Sequence, residues 1–219
     1  MDELTVFGSL ALREPTMDDL KRHFAIFSDP EVSAHAPSGP VLDKSDSRRM
    51  LQTIKDHWWR YGFGHWAVSS LENRDYVIGF GGLAYRQING KERFNLRFRL
   101  AREGWGKGYG HELGQASFQL AFQLLNANAV HAIVRPDNQR VIEALEQLGM
   151  HQTETVKVEP EMTPSLVYSI TLEEGVVRCS CGSQVRVRRN GDVGYQIDLH
   201  RRGGALHSVR DGKVQRNDH

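Results

Sequence analysis

The stretch that most constrains this chain is Trp105-Gly106-Lys107-Gly108-Tyr109-Gly110, followed at once by His111-Glu112-Leu113. It lies between a strand-like run over residues 94–100 and a helical pattern over 111–125. Closely spaced glycines let the backbone approach a ligand and adopt conformations other residues avoid. The first N–H groups of a helix have no partner inside it, and the helix dipole adds positive potential at the same end. A strand, a glycine turn and a helix in that order therefore cradle an anion, here expected to be a pyrophosphate.

The surrounding pattern alternates strand and helix. Leu10 and Leu12 lead into Arg13-Glu14-Pro15 as a strand. Thr16 reads as an N-cap, with Asp18 and Asp19 in the first turn of a helix that runs to about 29–30 through Leu20, Phe24 and Phe27. A loop over 33–41 precedes a second helix over 43–60, which Gly62 and Gly64 end. Strands are expected at 65–68 and 76–85, with a turn near 72–75 between them. Asn89-Gly90 is a hairpin signal into another at 92–100. Beyond the glycine turn, Leu113, Ala116, Leu120 and Leu124 recur on one helix face. A strand at 130–134 follows, then a helix marked by Val141, Leu145 and Leu148 and closed by Gly149, then strands at 151–158 and 166–172. This alternation predicts an α/β domain with one central sheet, residues 1–173. From 174 to 219 the pattern changes: Val185/Val187 and Val193/Tyr195/Ile197/Leu199 alternate across Asn190-Gly191. That predicts a small antiparallel β meander at the C-terminus.

Composition sets the class. The 219 residues are 39% hydrophobic and 25% charged, as in a soluble globular protein, and no apolar run approaches the roughly 20 residues that span a bilayer. The N-terminus carries no secretory pattern, so a cytoplasmic protein with no membrane partner is expected. Cys179 and Cys181, the two cysteines, are too close for an ordinary structural disulfide and suit a reducing compartment. Charge is uneven: residues 1–174 hold 19 Lys and Arg against 23 Asp and Glu, a net of −4, and residues 175–219 hold 9 against 4, a net of +5. An acidic body suits a cationic amine, and a basic tail suits RNA or an acidic partner; the plainer reading is two solvated surfaces.

Which phosphate ligand the turn takes follows from spacing. A P-loop needs Ser or Thr after its Gly-Lys, and Lys107 is followed by Gly108. A dinucleotide fingerprint needs GxGxxG after the first strand of a βαβ unit, and here the spacing differs and several strands come first. Residues 10–172 resemble a GNAT acetyltransferase of the RimJ/RimL type. The matching pieces are Ala11-Leu12-Arg13-Glu14-Pro15 with Asp18-Asp19, Ser28-Asp29-Pro30-Glu31-Val32 and Gly62-Phe63-Gly64-His65-Trp66-Ala67-Val68. Then come Ile78-Gly79-Phe80-Gly81-Gly82-Leu83, the glycine turn, Pro136-Asp137-Asn138 and Leu148-Gly149-Met150, all in order.

The resemblance implies a mixed, mostly antiparallel central sheet flanked by helices, and acetyl-CoA as cosubstrate. Gly106, Lys107, Gly108, Tyr109, Gly110 and His111 would hold its pyrophosphate through backbone N–H groups. Trp105 stands where many members carry Gln or Arg, and Trp is common there in the RimJ/RimL branch. The strand ending at Leu100 would pair with pantetheine and hold the thioester carbonyl by a backbone N–H, as an oxyanion contact does. Asn138 resembles the Asn that bonds the pantetheine arm and also reads as a plain helix N-cap.

Proton chemistry departs from the family pattern. Many relatives place a glutamate base in the strand before the turn; that position is Asn95, which cannot accept a full proton. Relatives often carry Ser or Tyr as the acid, at positions that here are Val141 and Leu145. Substitute bases are His65, Tyr85 or Glu143, each equally readable as an ordinary strand or helix residue. Arg97 and Arg99 share one strand face with Asn95; if that face lines the acceptor site they favour an acceptor with a carboxylate or phosphate near its amine, and otherwise they face solvent. Trp66 is a further candidate for the acceptor wall.

The expected function is acetyl transfer from acetyl-CoA to a primary amine, a protein N-terminus or a small molecule, by direct attack in a ternary complex. The alternative is an acyl-CoA-binding module with lost or altered catalysis, acting through its basic tail. Cys179, Cys181, His200 and His207 could together supply zinc ligands, but the Cys-x-Cys spacing is short and no metal is expected. The meander would extend the sheet, cover its edge or meet a second subunit, giving a homodimer. With Tyr195 the tail's single aromatic, base stacking is not expected.

Overall fold

Asn89 and Gly90 both take positive φ, 49° and 74°, the two-residue turn whose twist suits a hairpin. They fold residues 73–100 into the longest pair of strands, in register from Ile88↔Lys91 to Gly79↔Leu100. The computed structural model describes residues 4–36, 38–157 and 163–171, together with the strands 184–189, 195–201, 204–210 and 213–216.

In chain order the elements are β1 (Thr5–Phe7), β2 (Leu10–Arg13), α1 (Leu20–Phe27), α2 (Lys44–Tyr61), β3 (His65–Ser70), β4 (Asn73–Ile88) and β5 (Lys91–Leu100). After the glycine turn come α3 (Tyr109–Gln119), β6 (Ala129–Val134), α4 (Gln139–Gln147), β7 (His151–Val156) and β8 (Ser165–Thr171). The eight strands form one sheet in the order β1-β2-β3-β4-β5-β6-β8-β7, antiparallel everywhere except β5 beside β6. Four further strands, β9 (Gln184–Arg189), β10 (Tyr195–Arg201), β11 (Gly204–Arg210) and β12 (Lys213–Arg216), make an antiparallel sheet of their own. Among the described residues no helix is long and apolar enough to cross a membrane.

Local chemistry sets the helix ends. Asp19 accepts the Thr16 N–H at 2.8 Å and clamps the Arg13 guanidinium at 2.8 and 2.6 Å. The first helix stops at Phe27 rather than 29–30, because the Asp29 carboxylate takes the N–H groups of Glu31 and Val32 and turns the chain. Asp43 caps α2 by accepting from Ser45 N–H at 2.6 Å, and Gly62 at φ 72° closes it. The helix expected over 111–125 is α-helical only to Gln119. Leu120–Leu124 widens to a π turn, with Leu125 N–H reaching Leu120 O at 3.0 Å.

Two cores flank the first five strands. On one face Leu10, Leu12, Trp66, Val68 and Ile78 pack on Leu113 and Ala116 of α3. On the other, Ala67, Val77 and Phe80 pack on Ile26 and Phe27 of α1 and Leu51 of α2. Leu113 is fully buried, so truncation to Ala costs roughly 2–5 kcal/mol and loosens α3 from the sheet.

The seam that positions the site lies between β5 and β6. These parallel strands pair at one position, Asn95↔His131, whereas β6 is matched to β8 along its whole length. Beyond that point β5 runs to Leu100 and β6 to Val134 with no pairing between them, so the strands part. Ala101 N–H donates to Ile78 O at 2.8 Å, which fixes the alternation: Leu100 and Phe98 turn their N–H groups to the open edge.

Candidate active site

The glycine turn stands at the end of that open edge. Gly106 and Gly108 take φ of 72° and 77°, and a Cβ on either would meet no atom within 4 Å. The backbone alone demands glycine here, and the space above it is free. The first helical bond of α3 is Glu112 N–H to Gly108 O at 3.1 Å; among the described residues the N–H groups of residues 106–111 have no backbone acceptor. Glu112 is held away from this turn, accepting Ser9 N–H and Ser9 Oγ–H, both at 2.8 Å. The turn thus keeps its donors and loses a nearby negative charge to the β1–β2 connection.

Trp105 ties the turn to both strand ends. Its Nε1–H donates to Leu100 O at 2.9 Å, and the Arg140 guanidinium lies 4.2 Å from its ring. Arg140 is in the first turn of α4, where Asn138 caps the helix and accepts Val141 N–H at 3.4 Å. A contact therefore bridges the parting ends of β5 and β6. Sequence reasoning missed Arg140, which carries no motif of its own. The splayed edge, the open glycines and the unpaired N–H groups fit a pantetheine arm ending in a pyrophosphate.

On the opposite side of β5 from α3 lies a cavity of about 200 Å³. Met50, Thr53 and Ile54 of α2 and Phe27 of α1 roof it; Phe80, His65 and Arg97 to Arg99 form its floor. The hairpin register explains the floor: His65, Gly82 and Arg97 lie side by side, as do Ala67, Phe80 and Arg99. Arg99 is fixed over the Phe27 ring at 4.3 Å, with Nη1 donating to Ser33 Oγ at 3.3 Å. Arg97 stays open to solvent although surrounding chain encloses it, because it stands on the floor of a concavity.

Burial first, then the Arg97 charge, push His65 down to about 3, so it is neutral in any ordinary buffer. Behind the cavity His23, with no exposure, bonds Ser47 Oγ at 2.6 Å and stacks on Phe27. Burial, and next the Arg99 charge, lower it to about 4. Burial and the neighbouring Arg97 likewise hold Arg99 down at about 10.

The remaining candidates fall elsewhere. Asn95 is buried at the seam, its amide donating to His131 O at 3.1 Å and Leu96 O at 3.3 Å. Trp66 follows His65 and so turns to the α3 core, 6% exposed and away from the cavity. Tyr85 packs edge-on with Phe63 and Tyr61 beyond the end of β3, and its backbone N–H donates to His57 Nε2 at 3.0 Å. Burial raises its phenol pKa, the opposite of what a base needs. Glu143 lies on the exposed side of α4, whose buried residues are Ile142 and Leu145. Cys179 and Cys181 lie outside the described residues, among which no three His, Cys, Asp or Glu side chains are placed to hold a metal.

Sheet order, seam and glycine turn together are what an acyltransferase with a pyrophosphate-bearing donor requires. Residues 9–151 match the acetyltransferase (GNAT) domain model, and the chain belongs to the GNAT acetyltransferase family. It is 32% identical over 144 residues to an uncharacterised N-acetyltransferase, p20, of Bacillus licheniformis, covering 65% of this chain and 79% of that one. A GNAT-family acetyltransferase from Bacillus anthracis superposes with a TM-score of 0.64 at 17% identity, covering 77% of this chain and 98% of the other. Spermidine N-acetyltransferase from Vibrio cholerae, in complex with CoA and spermine, superposes at 0.59 with 16% identity, covering 74% and 95%.

Proposed function

We propose that this acetyltransferase transfers the acetyl group of acetyl-CoA directly to a primary amine, the two held together in one complex. The observation that carries the reading is the seam: Phe98 and Leu100 present N–H groups with no acceptor among the described residues, on one edge of the strand whose residues 97–99 floor the cavity. Donor and acceptor would meet across a single strand, and holding two reactants in register can supply several kcal/mol of the barrier.

The residues then take definite roles. N–H groups of 106–111 hold the pyrophosphate, with Trp105 and Asn138 flanking the arm. The Leu100 N–H receives the acyl carbonyl oxygen and stabilises charge developing there. Acetyl-CoA itself supplies the activated acyl group as a thioester. Among the cavity's lining residues no carboxylate takes the amine proton, and His65 at about 3 is too weak a base to keep one. The amine must arrive unprotonated, and the guanidinium groups of Arg97 and Arg99 favour its neutral form by like-charge repulsion. As the C–N bond forms and the C–S bond breaks, the nitrogen gives its extra proton to water and the CoA sulfur leaves as a thiolate that water protonates. Acceptors of this kind are a protein N-terminus, as for RimJ/RimL-type enzymes, or a small amine, in a cytoplasmic setting.

The lack of a proton-accepting side chain also favours a second reading, a module that binds acyl-CoA without turnover. Release of CoA thiol from acetyl-CoA, measured against peptides and small amines beside calorimetric binding of acetyl-CoA, separates the two. Amine-dependent release is expected. Tight binding with no release across the panel would leave the module, and no binding would remove both.

A further inference from the structure

We propose that the cavity beneath α1 and α2 selects an acceptor amine that also carries a carboxylate or phosphate a few bonds from its nitrogen. This rests on the transferase reading above and names its acceptor class.

The hairpin register places Arg86, Arg93, Arg97 and Arg99 on one face of β4 and β5. Arg93 is paired with Glu154. Among the described residues no carboxylate pairs with Arg86, Arg97 or Arg99, and no Asp or Glu lines the cavity. Guanidinium groups stay protonated, so Arg97 and Arg99 both bring positive charge to a space that Phe27, Phe80 and Ile54 also line. Like charges crowded into one concavity repel one another even where water reaches them, and an entering anion relieves that repulsion. Burial and this mutual repulsion are what depress Arg97 and Arg99.

Geometry narrows the ligand. Arg99 is immobilised by Phe27 and Ser33, whereas Arg97 has no hydrogen-bond or ion-pair partner among the described residues. Two residues apart on a strand, they stand roughly 6.6 Å from one another along the chain, close enough for both forks to grip one carboxylate or phosphate. Phe98, between them, turns its N–H to the open edge where the donor would lie. An anion held by the pair therefore leaves an attached nitrogen only a few bonds from that edge. A polyamine, by contrast, brings positive charge to positive charge. The net −4 of residues 1–174 points the other way, but charges farther than about 8–10 Å through solvent are screened, and the cavity's own field decides.

The test measures kcat/KM of the full chain with acetyl-CoA and four amines: glycine, 2-aminoethyl phosphate, ethanolamine and spermidine. At least one of the two anionic amines should exceed ethanolamine and spermidine by tenfold or more, and which one tells carboxylate from phosphate. Arg97→Gln should raise KM for that amine at least tenfold, and Arg97→Lys should restore part of the loss. Arg97 is the primary variant because, unlike Arg99, it makes no ring contact or hydrogen bond among the described residues. Preference for spermidine, or equal rates on all four, overturns the inference. A turnover-free arm titrates the acetylated products into the protein calorimetrically. If acetyl-CoA binds but the anionic products bind no tighter than N-acetylethanolamine, the acceptor class falls and the transferase stands. If acetyl-CoA does not bind, the transferase reading falls first.

Discussion

Asn95 holds the position where the family resemblance leads one to expect a glutamate, yet its amide is spent on the backbone carbonyl of His131, the one residue of β6 with which β5 forms a ladder pair. A carboxylate there would face that carbonyl with no proton to share. Asn95→Asp is expected to cost about 1–3 kcal/mol in urea unfolding, the penalty of an unsatisfied buried group, and to gain no activity. A faster enzyme with unchanged stability would show instead that the site accepts a base at this position. His23 yields a pH prediction. Its folded pKa of about 4 lies below the unfolded 6.5, so between these values the unfolded chain binds the extra proton. Stability is full above pH 6.5 and falls as pH drops toward 4, by roughly 3 kcal/mol at about 1.4 kcal/mol per unit. Denaturation at pH 7 and pH 4.5 should show a steeper fall for the native chain than for His23→Gln; parallel falls would remove the assignment. Arg97 and Arg99 were legible because a strand alternates. Arg86 was legible only in principle, by counting register back from Asn89-Gly90. His23 gave no signal, since burial of a histidine depends on Ser47 and Phe27 arriving from distant segments.

The glycine turn and α3 form one unit, and Gly108 is its joint. With φ at 77° and open space around its missing Cβ, Gly108→Val is strained by backbone alone, by roughly 1–2 kcal/mol. The turn should relax away from this geometry and acetyl-CoA affinity should fall at least tenfold by calorimetry; unchanged affinity would detach the turn from the cofactor. Elements announced by local chemistry were readable beforehand: the hairpin at Asn89-Gly90 and the stops at Gly62 and Gly149. Those set by partners were not. β1 is a short, largely exposed strand that exists by pairing with β2. The π turn at Leu120–Leu124 has apolar spacing that a regular helix shares. His65 and Trp66 were both offered to the acceptor site, yet neighbours on a strand face opposite ways; which of them meets the cavity depends on where α2 and α3 pack.

Across the whole sheet, five strands on one side and three on the other share a single backbone ladder pair, Asn95↔His131; the rest of the join is side chains, the Asn95 amide, the Arg93–Glu154 pair and the apolar cluster of Leu83 and Leu96 with Val130 and Ala132. Anything that fills the gap adds its binding energy to the fold. At one hundred times its dissociation constant, acetyl-CoA should stabilise the protein by about 2.7 kcal/mol, visible as a rise in Tm. The amides of Phe98 and Leu100 should exchange with solvent quickly in the free protein and slowly in the bound one; fast exchange in both would place the ligand elsewhere. Family membership was legible from ordered motifs along most of the chain. The seam was not, because no residue encodes a missing contact: it arises where β6 is captured by β8 on its other edge.

A sheet joined this way resembles an arch lacking its keystone. Each catalytic cycle would set the stone and pull it out again, so the fold is least closed just after product leaves. Depletion of acetyl-CoA would then lower not only the rate but also the resistance of the chain to proteases, making the abundance of the enzyme follow the supply of its own donor.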